Sequence, residues 1–151
     1  VRVDAVMRKG LPRKQKGAAA IEFALVFMLF FAVFYGLVSY SLPLLLLQSF
    51  NQATAEGVRR SVALDPTTPG YAAAVQARAV AGAQAQLQWL PPAFKFVPAY
   101  ITTSFSANLL TVQINYPSSN LKNVLPFLVL PGFGTVPNLP TTLSAQASLQ
   151  F

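Results

Sequence analysis

Hydrophobic and polar positions divide the chain into three textures. From Ala18 to Leu47 thirty residues carry a single charge, Glu22. As a helix this run measures roughly 45 Å at 1.5 Å per residue, and about 20 residues suffice to cross a bilayer core of about 30 Å. From Gln48 polar residues return with a rough helical spacing of Phe50, Ala53, Gly57, Val58, Ala63 and Leu64. The helix is expected to continue outward to Leu64. Asp65–Pro66 ends it, because the residue before proline is pushed out of helical geometry. A second helix is predicted from about Gly70 to Leu90. Its eight alanines favour it intrinsically, and Val75, Ala79, Val80, Ala83, Leu87 and Leu90 form its apolar stripe. Pro91–Pro92 stops it. Beyond lies a third texture with period two. Val112, Ile114 and Tyr116 alternate with Thr111, Gln113 and Asn115, and Leu143, Ala145, Ala147, Leu149 and Phe151 alternate with polar partners. Both are half-buried strand patterns. With a weaker strand near Tyr100–Phe105, the expected fold is α+β. A long apolar helix and a second helix pack on one face of about three antiparallel strands, whose other face is wet.

Charge sharpens the reading of the first texture. Residues 1–16 hold six of the eleven basic residues (Arg2, Arg8, Lys9, Arg13, Lys14, Lys16) and one acid, Asp4. From Ala18 onward there are five basic and three acidic residues. A basic arm can bind nucleic acid. Next to an apolar run it marks the cytoplasmic side of a span, and here the two adjoin directly. Residues 21–47 contain seventeen Leu, Ile, Val or Phe, an insertion drive of roughly −5 to −10 kcal/mol as an upper bound. An acid at the helix centre opposes this by only about 2.5–3.5 kcal/mol, and by less near an interface. The expected organisation is a basic cytoplasmic leader over 1–17, a transmembrane helix over 18–47 and an exported α+β domain over 48–151. A cleaved secretory signal, ending at "ATAEG" and leaving Glu56 first, is a rival, but its apolar core would be twice the usual length.

Within the span, Phe23, Phe27, Phe30, Phe31 and Phe34 share one helical face. That face suits lipid contact and packing against neighbouring helices equally. Pro43 lacks an N–H, so a kink or loosened turn is expected near Ser39–Pro43.

Composition closes off several chemistries. There is no cysteine and no histidine. This excludes a disulfide framework and thiolate or imidazole metal sites, and removes the commonest general base. Outside the leader and span the acids are Glu56 and Asp65. No nucleophile elbow or P-loop occurs, and "PGFG" lacks the lysine and following helix of a phosphate site. No catalytic residue, metal or cofactor is expected. Arg59, Arg60, Arg78 and Lys95 form no charged stripe of the kind that binds nucleic acid.

The motif "RKQKGAAAIEFALV" changes the picture again. A basic leader, a glycine, small residues, a glutamate five positions on and an unbroken apolar helix resemble the processing site of type IV prepilins. Within that group Gly17, Ala18–Ala20, Ile21, Glu22, Phe23 and Ala24 resemble the TadE-like branch, small pseudopilins of tight-adherence (Flp) pilus systems. "EGVRRSVAL", residues 56–64, is similar to that branch's helix continuation. The resemblance covers about a third of the chain and implies a pilin-like protein. It implies cleavage by a prepilin peptidase between Gly17 and Ala18, and pairing of Glu22 with the new Ala18 amine of a neighbouring subunit. Phe23, Phe27, Phe30 and Phe34, on their shared face, are the helix-packing candidates. The implied partners are other pilins and an assembly platform. The implied place is the bacterial inner membrane, crossed once, with the N-terminus cytoplasmic and the remainder periplasmic or in a pilus. The alternative is an unprocessed, signal-anchored envelope protein with another partner.

One stretch stays apart. "NVLPFLVLPGFGTVPNLP", residues 123–140, is apolar but broken by prolines, so it is no second span. It reads as a buried loop or as an exposed patch for a partner or the membrane surface. The partner reading centres on Phe127 and Phe133.

Overall fold

A computed structural model describes residues 15–151. It contains two helices, α1 (Gln15–Ser61) and α2 (Tyr71–Gln86). Five strands follow: β1 (Ile101–Ser106), β2 (Leu109–Pro117), β3 (Leu128–Leu130), β4 (Gly134–Val136) and β5 (Thr142–Gln150). The chain divides into two compact units, Val1–Leu37 and Val38–Phe151, and α1 contributes to both.

In the first unit the described residues are helix alone. Its large apolar side chains, from Ile21 to Leu37, are exposed wherever they are aliphatic or phenylalanine. The helix Gly17–Ser61 is long and apolar enough to cross a membrane, which fits a single-pass membrane protein.

The second unit begins at Val38. The reason is a change in what covers the apolar run. Ser39, Pro43, Leu46, Phe50, Ala53, Gly57 and Ser61 are all buried. They succeed one another at steps of three or four residues, the spacing of one helix face. The distal third of the run is therefore a core-forming face. The helix continues through Pro43. It stops at Ser61, three residues short of Leu64, where the Ser61 hydroxyl lies 2.8 Å from the Gly57 carbonyl and 3.2 Å from that of Val75. Asp65 then closes the loop. Its Oδ1 accepts from the Thr67 N–H at 2.9 Å and the Thr67 hydroxyl at 2.8 Å, and these bonds hold its carboxyl below the usual carboxylate range.

Helix α2 starts one residue after Gly70, which has φ 69°, and ends at Gln86 rather than Leu90. There the chain tightens into turns, with the Leu87 N–H on the Gln84 carbonyl and the Leu90 N–H on that of Leu87. Leu87 is still buried, while Val80 and Leu90 pack at the margin of the core. The two helices meet through small residues. A Cβ added at Gly57 would lie 2.6 Å from the Ala79 carbonyl oxygen and 3.3 Å from the Ala83 Cβ. Alanine replacing glycine inside a helix normally stabilises by about 1 kcal/mol. Here the obstructing atom is backbone, so overpacking of about 1–3 kcal/mol opposes that gain. Gly57→Ala is therefore expected to lower the melting temperature in a thermal circular-dichroism scan. A variant as stable as the parent, or more so, contradicts the close crossing.

The main sheet has the order β1–β2–β5, all antiparallel. Its register sets Val112 opposite Ala147, Ile114 opposite Ala145 and Tyr116 opposite Leu143. Leu110, Val112, Ile114 and Tyr116 are fully buried. Thr111, Gln113 and Asn115, on the other face, are only half-buried and bond sideways. The Thr111 and Ser148 hydroxyls lie 2.9 Å apart, and Asn115 Oδ1 accepts from Gln113 and Ser144 at 3.1 Å each. The expected three strands, with one packed and one wet face, are present. The β1–β2 turn uses Ala107 and Asn108, both with positive φ (48° and 60°), as a two-residue hairpin requires.

Aromatic rings fill the centre. Phe50 of α1 sits 5.5 Å from Tyr116 and 5.9 Å from Phe96, measured between ring centroids, with Tyr100 edge-on to both Phe96 and Tyr116. The Tyr116 hydroxyl donates to the Phe94 carbonyl at 2.7 Å. Burial, with Tyr100 beside it, pushes its pKa up to about 12.

Residues 123–140 form a structure of their own. Strands β3 and β4 pair as a second, two-stranded sheet. Pro131 and Gly132 (φ 84°) turn the chain, and the Phe133 N–H returns to the Leu130 carbonyl at 3.1 Å. Proline first and a positive-φ glycine second is the chemistry of a type II turn.

Candidate functional site

Gly17, Ala18 and Glu22 lie in the first two turns of α1. The Gly17–Ala18 bond falls where helix N–H groups have no partner within the helix. A Cβ built at Gly17 meets nothing within 4 Å, as is also true at Gly36. No contact in the described fold therefore demands a glycine at 17, although glycine weakens a helix by about 1 kcal/mol relative to alanine. Ala18 and Glu22 stand four residues apart, on the same side of the helix. Both are exposed.

The basic residues of the expected leader, Arg2, Arg8, Lys9, Arg13 and Lys14, lie outside the described residues. Among the described side chains the ion pairs are those of Glu56, whose carboxylate accepts from Arg59 Nε at 2.8 Å and Arg60 Nε at 2.7 Å. Glu22 makes no ion pair with any of them. Glu56 is thus neutralised within its own helix, whereas Glu22 is a carboxylate set four residues into an apolar segment.

The phenylalanines form two columns. Phe23, Phe27, Phe31 and Tyr35 stack in succession with centroids 6.1, 6.3 and 6.5 Å apart, and Phe30 stacks on Phe34 at 6.2 Å. The five phenylalanines are each more than half exposed, Phe23 at 71%. Phe127 and Phe133, paired by sequence as one patch, part company in the fold. Phe127 is half-buried against the core with the Lys122 ammonium 5.8 Å from its ring centre. Phe133, at the β3–β4 turn, is 86% exposed. Sequence reasoning missed that Val129, at 75% exposure, stands out on the same hairpin. The "PG" dipeptide was the signal that could have located the turn.

Comparison with known families now bears on the leader end of α1. Residues 17–59 match the family model described as TadE-like protein. Over this stretch the chain is similar to TadE-like proteins. The match covers 43 of the 151 residues and supports involvement in Tad pilus systems. It starts at the glycine before the apolar run and ends at Arg59, so it takes in the exposed phenylalanine columns and nearly all of the core-facing side of α1. The matched stretch thus carries both a lipid-length segment and most of the face on which α2 and the sheet assemble. No curated protein and no solved structure matches the chain.

Proposed function

We propose that this chain is a TadE-like minor pilin or pseudopilin with a structural rather than enzymatic role. In this reading a prepilin peptidase cuts it after Gly17, residues from Ala18 anchor it in the inner membrane, and it supports assembly of, or secretion by, a Tad (Flp) pilus. Its N-terminus faces the cytoplasm and the Val38–Phe151 unit lies in the periplasm or in the pilus. The observation that carries the reading is the family match starting at Gly17, on a helix where that glycine has no packing reason of its own. A small residue at the scissile bond lets a peptidase approach the backbone closely. The amine freed at Ala18 provides a cation for the Glu22 of a neighbouring subunit, and the phenylalanine columns provide a surface for neighbouring helices.

The test is the N-terminus of the protein recovered from its native envelope. Ala18 is the expected first residue, and Gly17→Leu is expected to leave the leader attached, adding its mass. An N-terminus upstream of Gly17 in cells that contain the peptidase makes the protein a plain anchor, and Glu56 makes it a secreted domain.

A further inference from the structure

The two ends of the Val38–Phe151 unit differ in chemistry. At one end the β1–β2 turn and Phe151 meet the end of α1, where Asn108, Val62, Leu64, Tyr71 and Phe151 line one cavity. At the other, the Asn138 N–H donates to the Tyr40 hydroxyl at 2.9 Å, and the Ser118 N–H donates to the Thr141 carbonyl at 3.0 Å. Tyr40 and Ser61 are 21 residues apart on α1, roughly 32 Å. The Tyr40 end is built from residues 118–141, which contain one charge, Lys122. It carries the β3–β4 hairpin with Val129 and Phe133 exposed.

Tyr40 is three residues beyond Leu37, where the first unit ends. Residues 18–37 make a helix of roughly 30 Å, about the thickness of a bilayer core. Three residues of chain reach at most about 11 Å, so a span that ends at Leu37 tethers Tyr40 near headgroup depth. Phe133 is five residues from Asn138, so at most about 18 Å of chain separates the hairpin tip from that level. Exposed apolar side chains without charge between them mark an interaction surface. A surface tethered at headgroup depth meets lipid first.

We propose that the β3–β4 hairpin is a second membrane contact of this protein. Val129 and Phe133 enter the boundary between headgroups and acyl chains, and Lys122 is left to face lipid phosphates, as in interfacial segments that pair apolar anchors with lysine. The inference rests on the membrane crossing by residues 18–37. It gives residues 123–140 an occupant, lipid, in place of a protein partner.

The chain has no cysteine, so single labels are clean. The full chain is reconstituted in phosphatidylethanolamine–phosphatidylglycerol vesicles with an environment-sensitive fluorophore on Phe133→Cys, Phe27→Cys or Ser106→Cys. Spin-labelled lipids serve as quenchers. The label at 27 is expected to be quenched by deep spin labels, that at 133 to shift blue and be quenched by shallow ones, and that at 106, beside the β1–β2 turn, to behave as in water. If 133 behaves like 106 while 27 is quenched, the span stands and the hairpin contact is wrong. If 27 is not quenched, the crossing itself fails and the hairpin contact with it. A response at 133 that appears only when unlabelled copies crowd the vesicle assigns the hairpin to protein and overturns the lipid contact. Unchanged far-ultraviolet circular dichroism of each variant establishes that the fold is kept.

Discussion

Phe50→Ala is expected to lower the melting temperature of the Val38–Phe151 unit by about 10–40 °C. Phe50 is fully buried, and its ring joins α1 to Phe96 and Tyr116. Truncating a buried phenylalanine to alanine costs about 3–5 kcal/mol, the lost transfer energy plus the cavity left behind. In a domain of this size each kcal/mol shifts the melting temperature by about 4–8 °C. Total stability is about 5–15 kcal/mol, so the loss is a large fraction of what holds the unit together. The surroundings offer little collapse, because Tyr116 is held by its hydroxyl on the Phe94 carbonyl. Phe30→Ala is the matched comparison, with the same residue types on the same helix but 66% exposure at the site. Thermal scans of the two variants in one detergent should separate them widely. Equal shifts would mean that α1 does not divide into an exposed segment and a core-forming segment.

That division is the part of the fold least legible in the sequence. Phe30 and Phe50 sit in one long helix, and residues 38–47, with five leucines and a valine, are still mainly apolar. A side chain shows the same hydropathy whether lipid or a protein core covers it. What separates the two segments is the phase of Ser39 and Pro43 with Leu46 and Phe50, and that pattern has no meaning until α2 and the sheet supply the other wall. Strands β2 and β5 were legible for the opposite reason. One of their faces is wet, so polar residues alternate with apolar ones and reveal the period. The β3–β4 hairpin was obscured because Val129 and Phe133 are apolar on an exposed tip, where alternation fails. The close approach at Gly57 was equally hidden, since a glycine in a helix reads as a weak point until Ala79 is found against it. At the leader end the motif residues were readable as residues. Their geometry adds one point, that Gly17 has open space around it.

Glu22→Gln is expected to leave cleavage after Gly17 intact and to reduce recovery of the protein in pilus complexes at least about tenfold, equivalent to about 1.4 kcal/mol. The substitution keeps the size and the hydrogen-bonding end of the side chain and removes the charge. In a single chain that charge has no described partner, unlike Glu56 with its two arginines. A carboxylate carried into an apolar medium is costly unless paired, so an assembly that supplies an amine gains twice, by attraction and by relief of that cost. Two charges about 4 Å apart attract by about 4 kcal/mol at an effective dielectric of 20. Desolvation offsets part of this, and about 1.4 kcal/mol is a conservative remainder. Glu22→Asp should recover part of the association, because it restores the charge on a shorter arm. The measurement is co-purification of processed protein with its partners, normalised to the amount beginning at Ala18. Equal recovery of the glutamine variant and the parent removes charge pairing from assembly. Association would then have to come from the phenylalanine columns alone, and Phe27→Ala with Phe30→Ala would become the changes that abolish it.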